Sequence, residues 1–137
     1  MHSERFALPV AVTPDDIDEL GHVSNQVYLR WVLDAATSHS TSVGWSHREY
    51  RSLGGVFVVR RHELDYLAPV LAGQQLRTTT WVESLRTASC VRATEIARDE
   101  AVVFRAATTW VFISLTTGRP QRIPDPLRAA FSAIAAG

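Results

Sequence analysis

The run Asp15-Asp16-Ile17-Asp18-Glu19-Leu20-Gly21-His22-Val23-Ser24-Asn25 is the densest polar cluster in the chain, and four of its first five residues are acidic. It leads into a segment with helical spacing. A helix N-terminus presents unpaired backbone N–H groups and a partial positive charge. Such donors can hold a substrate oxygen that gains negative charge. A carboxylate a few residues upstream is then in place to attack or to activate water. The plainer reading of the same residues is a helix cap with solvated charges, and spacing alone leaves both open. His22 is a candidate base, since histidine is the side-chain type suited to proton transfer near neutral pH. No G-x-S-x-G elbow is present, so a Ser-His-Asp site is not expected. Asp18, His22 and Asp34 have metal-ligating atoms but no metal-ligand spacing, so no metal is expected. Asp34 reads as a helix-face polar contact, with a second active-site carboxylate as the alternative.

Arg60-Arg61-His62 interrupts an apolar strand. Alternation puts Arg60 and His62 on one face and Arg61 on the other. They read as a solvated face, an interface charge pair or a contact to phosphates, which arginine suits. Arg92, Arg98 and Arg105 are rivals for that contact. Trp31, Trp45, Trp81 and Trp110 read as core or interface residues.

The elements that must position these residues are legible from their periods. Phe6 to Val12 reads as a strand closed by Thr13-Pro14. Tyr28, Trp31, Val32, Ala35, Ala36, His39 and Val43 recur every three or four residues and form one apolar helical stripe. Ser24 or Asn25 caps its start and Gly44 its end. Such a helix is roughly 28 Å long and must pack along something extended. Val56 to Leu67, Leu76 to Leu85, Cys90 to Ala97 and Val102 to Ser114 read as strands rich in Thr and Val. Leu71-Ala72-Gly73, Arg98-Asp99-Glu100 and Thr117-Gly118-Arg119-Pro120 are the turns. Pro126 to Ile134 reads as a short helix capped by Asp125. The order β-α-β-β-β-β-α, with short connections, favours an antiparallel sheet with one face covered by the long helix.

Composition narrows the chemistry. The 137 residues fit one domain, 1–137. Fourteen basic residues balance fourteen acidic ones, and every basic one is arginine. Without lysine there is no Schiff base and no P-loop. Zero formal charge argues against broad nucleic-acid binding. The single cysteine, Cys90, excludes an intrachain disulfide and a thiolate zinc cluster. No signal peptide or membrane span is read, and a cytoplasmic protein is expected.

Asp16 to Tyr28 resembles the D-x-D-x-x-G-H-V-N-N-x-x-Y signature of hotdog-fold acyl-CoA thioesterases of the 4-hydroxybenzoyl-CoA thioesterase type. Glu63-Leu64-Asp65-Tyr66-Leu67-Ala68-Pro69-Val70 with Gly73 resembles that family's second strand and turn. Trp110-Val111-Phe112-Ile113, Thr117-Gly118-Arg119-Pro120 and Ile123-Pro124 resemble its last strand and tail. Ser24 departs from the usual Asn, Asp34 from a frequent Glu, and the Asp99-Glu100 hairpin from the common Gly.

The resemblance implies an α+β hotdog fold: a five-stranded antiparallel sheet wrapped around a long central helix, with a short C-terminal helix. It implies thioester hydrolysis without a cofactor. Asp18 is then the nucleophile or general base, and the backbone N–H near Asn25 polarises the carbonyl. His22 is then more a loop-fixing residue than a base. Arg60, Arg61 and Arg92 are the candidates for the CoA nucleotide. The substrate is an acyl-CoA or acyl-carrier-protein thioester, and homodimers or homotetramers are expected, with the site between subunits. A hotdog hydratase-dehydratase and a non-catalytic thioester-binding module are the alternatives.

Overall fold

The computed structural model describes residues 5–136, with side chains described through residue 131. Its sheet has five antiparallel strands: β1 (Phe6–Ala11), β2 (Gly55–Tyr66), β3 (Gln75–Leu85), β4 (Ser89–Arg98) and β5 (Ala101–Ser114), in the order β1-β3-β4-β5-β2. β1 and β2 are the edges.

The helix α1 (Asn25–Ser42) lies along this sheet and buries Val27, Tyr28, Trp31, Val32, Ala35, Ala36 and His39. That is the stripe its period predicts. It stops where Val43 N–H returns to the His39 and Ser40 carbonyls, and Gly44 leaves the helix at φ 96°. That φ is left-handed backbone, which glycine accepts without a Cβ clash.

A second helix, α2 (His47–Leu53), is not foreseen from the sequence. None of its residues is buried, so it carries no apolar period to read. It is pinned through Tyr50, whose hydroxyl lies 2.8 Å from Ser40 Oγ on α1 and whose ring packs edge-on against Phe57. The C-terminal helix α3 (Asp125–Ala136) sets Leu127 and Phe131 into the core.

Strand alternation builds the face under α1. Register aligns Thr78 with Ile96 and Phe104, Thr80 with Thr94 and Ala106, and Val82 with Arg92 and Thr108. The core is therefore two apolar clusters with a polar belt between them. One gathers Tyr28, Trp31, Val32, Ile96 and Phe104 under the first half of α1. The other gathers Val82, Cys90, Phe112, Ile123, Leu127 and Phe131 at the opposite end. The belt is Thr80, Thr94, Thr108, Arg92 and His39, all buried.

β2 shifts register between Val59 and Arg61, which leaves Arg60 as the extra residue of a bulge. Strict alternation therefore fails at the expected Arg60/His62 face. His62 still faces α1, bonded through Nδ1 to Thr108 Oγ1 at 2.9 Å.

Gly55 opens β2 with the Phe112 ring stacked where a side chain would begin. A methyl there displaces a fully buried aromatic. Gly55→Ala is expected to destabilise the fold by about 1–3 kcal/mol, read as a lower melting temperature. An unchanged or raised melting temperature would show that Phe112 can yield.

Candidate active site

The loop before α1 is held by Asp16. This residue closes a single 3₁₀ turn (Pro14–Asp16), accepting Thr13 N–H on Oδ2 at 2.9 Å. Its Oδ1 accepts from Arg30 Nη2 of α1 at 2.8 Å, and its carbonyl accepts Ser24 N–H at 2.9 Å. Asp16 is 3% exposed. Burial alone would push its pKa up, but the Thr13 and Arg30 hydrogen bonds outweigh it and hold the carboxyl below its usual range. Ile17 bridges Val23, and Val23 N–H donates to Val70 O at 2.8 Å, so the loop is also stitched to the turn before β3.

Between these anchors the chain folds back on itself. Asp18 N–H donates to His22 O at 2.8 Å and Gly21 N–H to Asp18 O at 3.1 Å. Asp18 Oδ1 accepts the Leu20 N–H at 2.9 Å and the His22 N–H at 3.3 Å. Asp18 is exposed, and among the described residues nothing donates to its Oδ2. His22 is also exposed and shapes the loop through its backbone.

α1 starts at Asn25 with Ser24 as N-cap, in extended backbone and without a side-chain cap bond. Among the described residues the Asn25 N–H finds no acceptor, as expected of a first-turn donor. Asn25 is exposed, and its carbonyl accepts from Tyr66 Oη of β2 at 3.4 Å. Tyr66 in turn packs edge-on against Tyr28 and Phe104. An acidic loop and an open helix start thus share one corner of the molecule.

The other expected residues lie apart from this corner. Asp34 is exposed on the outer side of α1, roughly 14 Å along the axis from Asn25. Arg60 and Arg61 are exposed on β2, and Arg61 pairs with Glu63 at 2.9 Å. Arg98 donates to Pro69 O and Gln74 Oε1, and Arg105 to Glu95.

Arg92 does not reach the surface, being 5% exposed. It lies under α1, where Nη1 bonds His39 Nδ1 at 2.8 Å and Thr80 Oγ1 at 3.2 Å. It borders a cavity of about 380 Å³ between the second half of α1, α2 and the sheet. Trp45 and Trp110 line the same space. Burial pushes Arg92 down to about 10 and the Cys90 thiol up to about 11. Burial, then the Arg92 charge, drives His39 down from 6.5 to about 4. His39 is therefore neutral, with Nδ1 as acceptor and the proton on the other nitrogen. Sequence reading placed His39 in the stripe and Arg92 among the phosphate contacts. The signal for their pairing was the β4 alternation, which sets Arg92 on the same face as Cys90 and Ile96.

The His39 shift has a pH consequence. The unfolded imidazole protonates near 6.5 and the folded one near 4. Stability is therefore lost as pH falls from about 6.5 to about 4, by on the order of 3 kcal/mol. His39→Gln keeps an acceptor for Arg92 but cannot titrate. Urea unfolding at pH 7 and pH 4.5 is expected to show a smaller loss for this variant than for the wild type. Equal losses would mean His39 is not the group responsible.

The sequence pattern of the thioesterase-like superfamily matches residues 12–131. The acyl-CoA thioester hydrolase YbgC of Escherichia coli O157:H7 is 26% identical over 132 residues, covering 96% of this chain and 98% of that protein. Among solved structures, Slr0204, a 1,4-dihydroxy-2-naphthoyl-CoA thioesterase from Synechocystis, superposes with a TM-score of 0.85 at 23% identity, over 96% of each chain. The Staphylococcus aureus protein SAV2348, solved in complex with CoA, superposes with a TM-score of 0.86 at 19% identity, over 99% of this chain and 84% of that one.

Proposed function

The chain belongs to the thioesterase-like superfamily, and on that premise we propose that it hydrolyses acyl-CoA thioesters to a carboxylic acid and the CoA thiol. One observation carries the reading: an exposed carboxylate, Asp18, whose Oδ2 accepts no hydrogen bond among the described residues, on the loop that runs into an open helix N-terminus. Asp18 attacks the thioester carbonyl or takes a proton from the water that attacks it. The Asn25 N–H receives the oxygen as it becomes negative. The carbon–sulfur bond breaks and the thiolate leaves. After direct attack, water hydrolyses the mixed anhydride on Asp18 and supplies the proton the thiolate takes up. After water attack, the proton held by Asp18 passes to the thiolate. Arg60 and Arg61, both exposed, are the guanidinium groups offered to the nucleotide phosphates. The names of YbgC and Slr0204, and the CoA bound by SAV2348, favour CoA as the carrier.

Three substitutions separate the roles in one experiment, with thiol release and melting temperature measured on each. Asp18→Asn is expected to keep its melting temperature and lose turnover on the order of 10²–10⁴-fold. Asp16→Asn is expected to do the reverse, losing ~1–2 kcal/mol of stability with a milder effect on rate. Asn25→Pro is informative because proline is accepted at a first helical position, and the extended Ser24 backbone suits a residue before proline. It removes only the N–H, and turnover is expected to drop on the order of 10²–10³-fold. Full activity in Asp18→Asn would overturn the reading, and full activity in Asn25→Pro would move the oxyanion site elsewhere.

The assembly belongs to the same proposal. The cavity beside Arg92 lies roughly 20 Å along α1 from Asn25, too far to hold the acyl group of a thioester at its own Asp18. β2 is an edge strand with Val58 and Val59 each 38% exposed and Tyr66 46% exposed. Pairing two copies antiparallel along β2 sets the Gly55 end of one against the Tyr66 end of the other. Each cavity then opens beside the partner's acidic loop. Val58→Asp is expected to yield a monomer by light scattering and to lose turnover with Asp18 intact. A wild-type monomer at micromolar concentration would refute the pairing.

A further inference from the structure

We propose that the cavity between α1, α2 and the sheet selects acyl groups whose far end is a carboxylate, with Arg92 as the group that receives it. The inference rests on the thioesterase reading above and adds a substrate class to it.

The argument begins with an unbalanced charge. Among the described residues Arg92 has no carboxylate partner, although it is 5% exposed and stays cationic with a pKa of about 10. A buried cation without a counter-ion is costly, and such a residue is usually paired. Its two hydrogen bonds are both made through Nη1, to His39 and Thr80. No described residue accepts from Nε or Nη2. One edge of the guanidinium fork is therefore open, and Arg92 borders the cavity. A carboxylate fits that fork through two parallel N–H···O bonds.

Other groups of the wall bear on the same question. Among the described residues the buried indole N–H of Trp110 has no acceptor, and an indole nitrogen can only donate. Tyr50 and Ser40 hydroxyls satisfy each other, and Ser40 also donates to Trp45 O at 2.7 Å. Cys90 is held as a neutral thiol. Beside the open guanidinium edge the wall carries the hydroxyls of Thr37, Thr41 and Ser46 and the His47 ring, which can donate as well as accept, so an anionic group rich in acceptor oxygen is its complement. Leu33, Ala36, Phe57, Val82 and Phe131 make the rest of the wall apolar. That suits a hydrocarbon stem leading to the carboxylate. At about 30 Å³ per non-hydrogen atom, 380 Å³ holds roughly a dozen atoms. The class is thus a monothioester of a medium-length dicarboxylic acid. A methyl-ended acyl group of equal length leaves the guanidinium desolvated and unpaired.

Two matched ligand pairs test this. The first is suberoyl-CoA against octanoyl-CoA, compared by kcat/KM for thiol release. The second is free suberate against free octanoate, compared by calorimetric binding. Both are measured on the wild type and on Arg92→Met, a swap of a buried charge for an apolar side chain that cores often tolerate. The wild type is expected to prefer suberoyl-CoA at least about tenfold and to bind suberate more tightly than octanoate. Arg92→Met is expected to abolish both preferences. Equal wild-type rates on the two thioesters, or a preference that survives in Arg92→Met, would overturn the assignment. The wild-type comparison decides by itself if the variant does not fold. Suberate binding that depends on Arg92, without hydrolysis of any CoA thioester, would keep the cavity assignment and remove the thioesterase reading. Hydrolysis without preference and without suberate binding would do the opposite.

Discussion

The seating of one helix in one curled sheet determines the rest of this molecule. α1 presents Tyr28, Trp31, Val32, Ala35, Ala36 and His39 to the strands, and each is buried. Apolar burial of that stripe fixes the height and rotation of the helix. Arg30 is then held where it meets Asp16, and the helix start is held where it meets Tyr66. At the far end Ser40 is brought to Tyr50, which docks α2 and roofs the cavity. The acidic corner and the cavity are thus two ends of a single packing event.

The belt across the core is polar without being unstable. Thr80 Oγ1 donates to Ala93 O at 2.8 Å, and Thr94 lies beside it. Threonine suits this place because its branched Cβ packs on a pleated sheet while its hydroxyl finds a backbone partner. The belt supplies acceptors to one edge of Arg92, which a purely apolar core would not. The acidic loop shows a comparable contrast over a shorter distance. Asp16 and Asp18 are two residues apart, yet one is buried and spent on holding the loop, while the other is exposed with an oxygen to spare. Burial, not residue type, separates an anchor from a carboxylate left open to solvent.

Much of this was legible in the sequence because it rests on period. The 3.6-residue stripe gave α1 and its buried face, and alternation with turn residues gave the five strands. The acidic run before the helix marked the corner that holds the loop and the start of α1. What escaped reading depends on contacts between distant segments. α2 has no buried face of its own and is held by Tyr50. The bulge at Arg60 arises from pairing with β5, which no local pattern encodes. Arg92 was read by its charge, although its neighbours Cys90 and Ile96 on alternate positions already placed it inward. The Asp16–Arg30 bond joins residues fourteen positions apart in two different elements and needed the fold to be seen.

At its tip the acidic loop is shaped by main-chain bonds together with the Asp18 carboxylate. Asp18 N–H to His22 O, Gly21 N–H to Asp18 O and the Ile17–Val23 bridge would persist with different side chains at the tip. Glu19 and Leu20 are exposed, Leu20 to 80%, and only the Leu20 N–H enters the network. These two positions are therefore free to drift in sequence without moving the aspartate. Exchanging these two side chains would change what meets an approaching molecule at the tip while leaving the loop's fold in place.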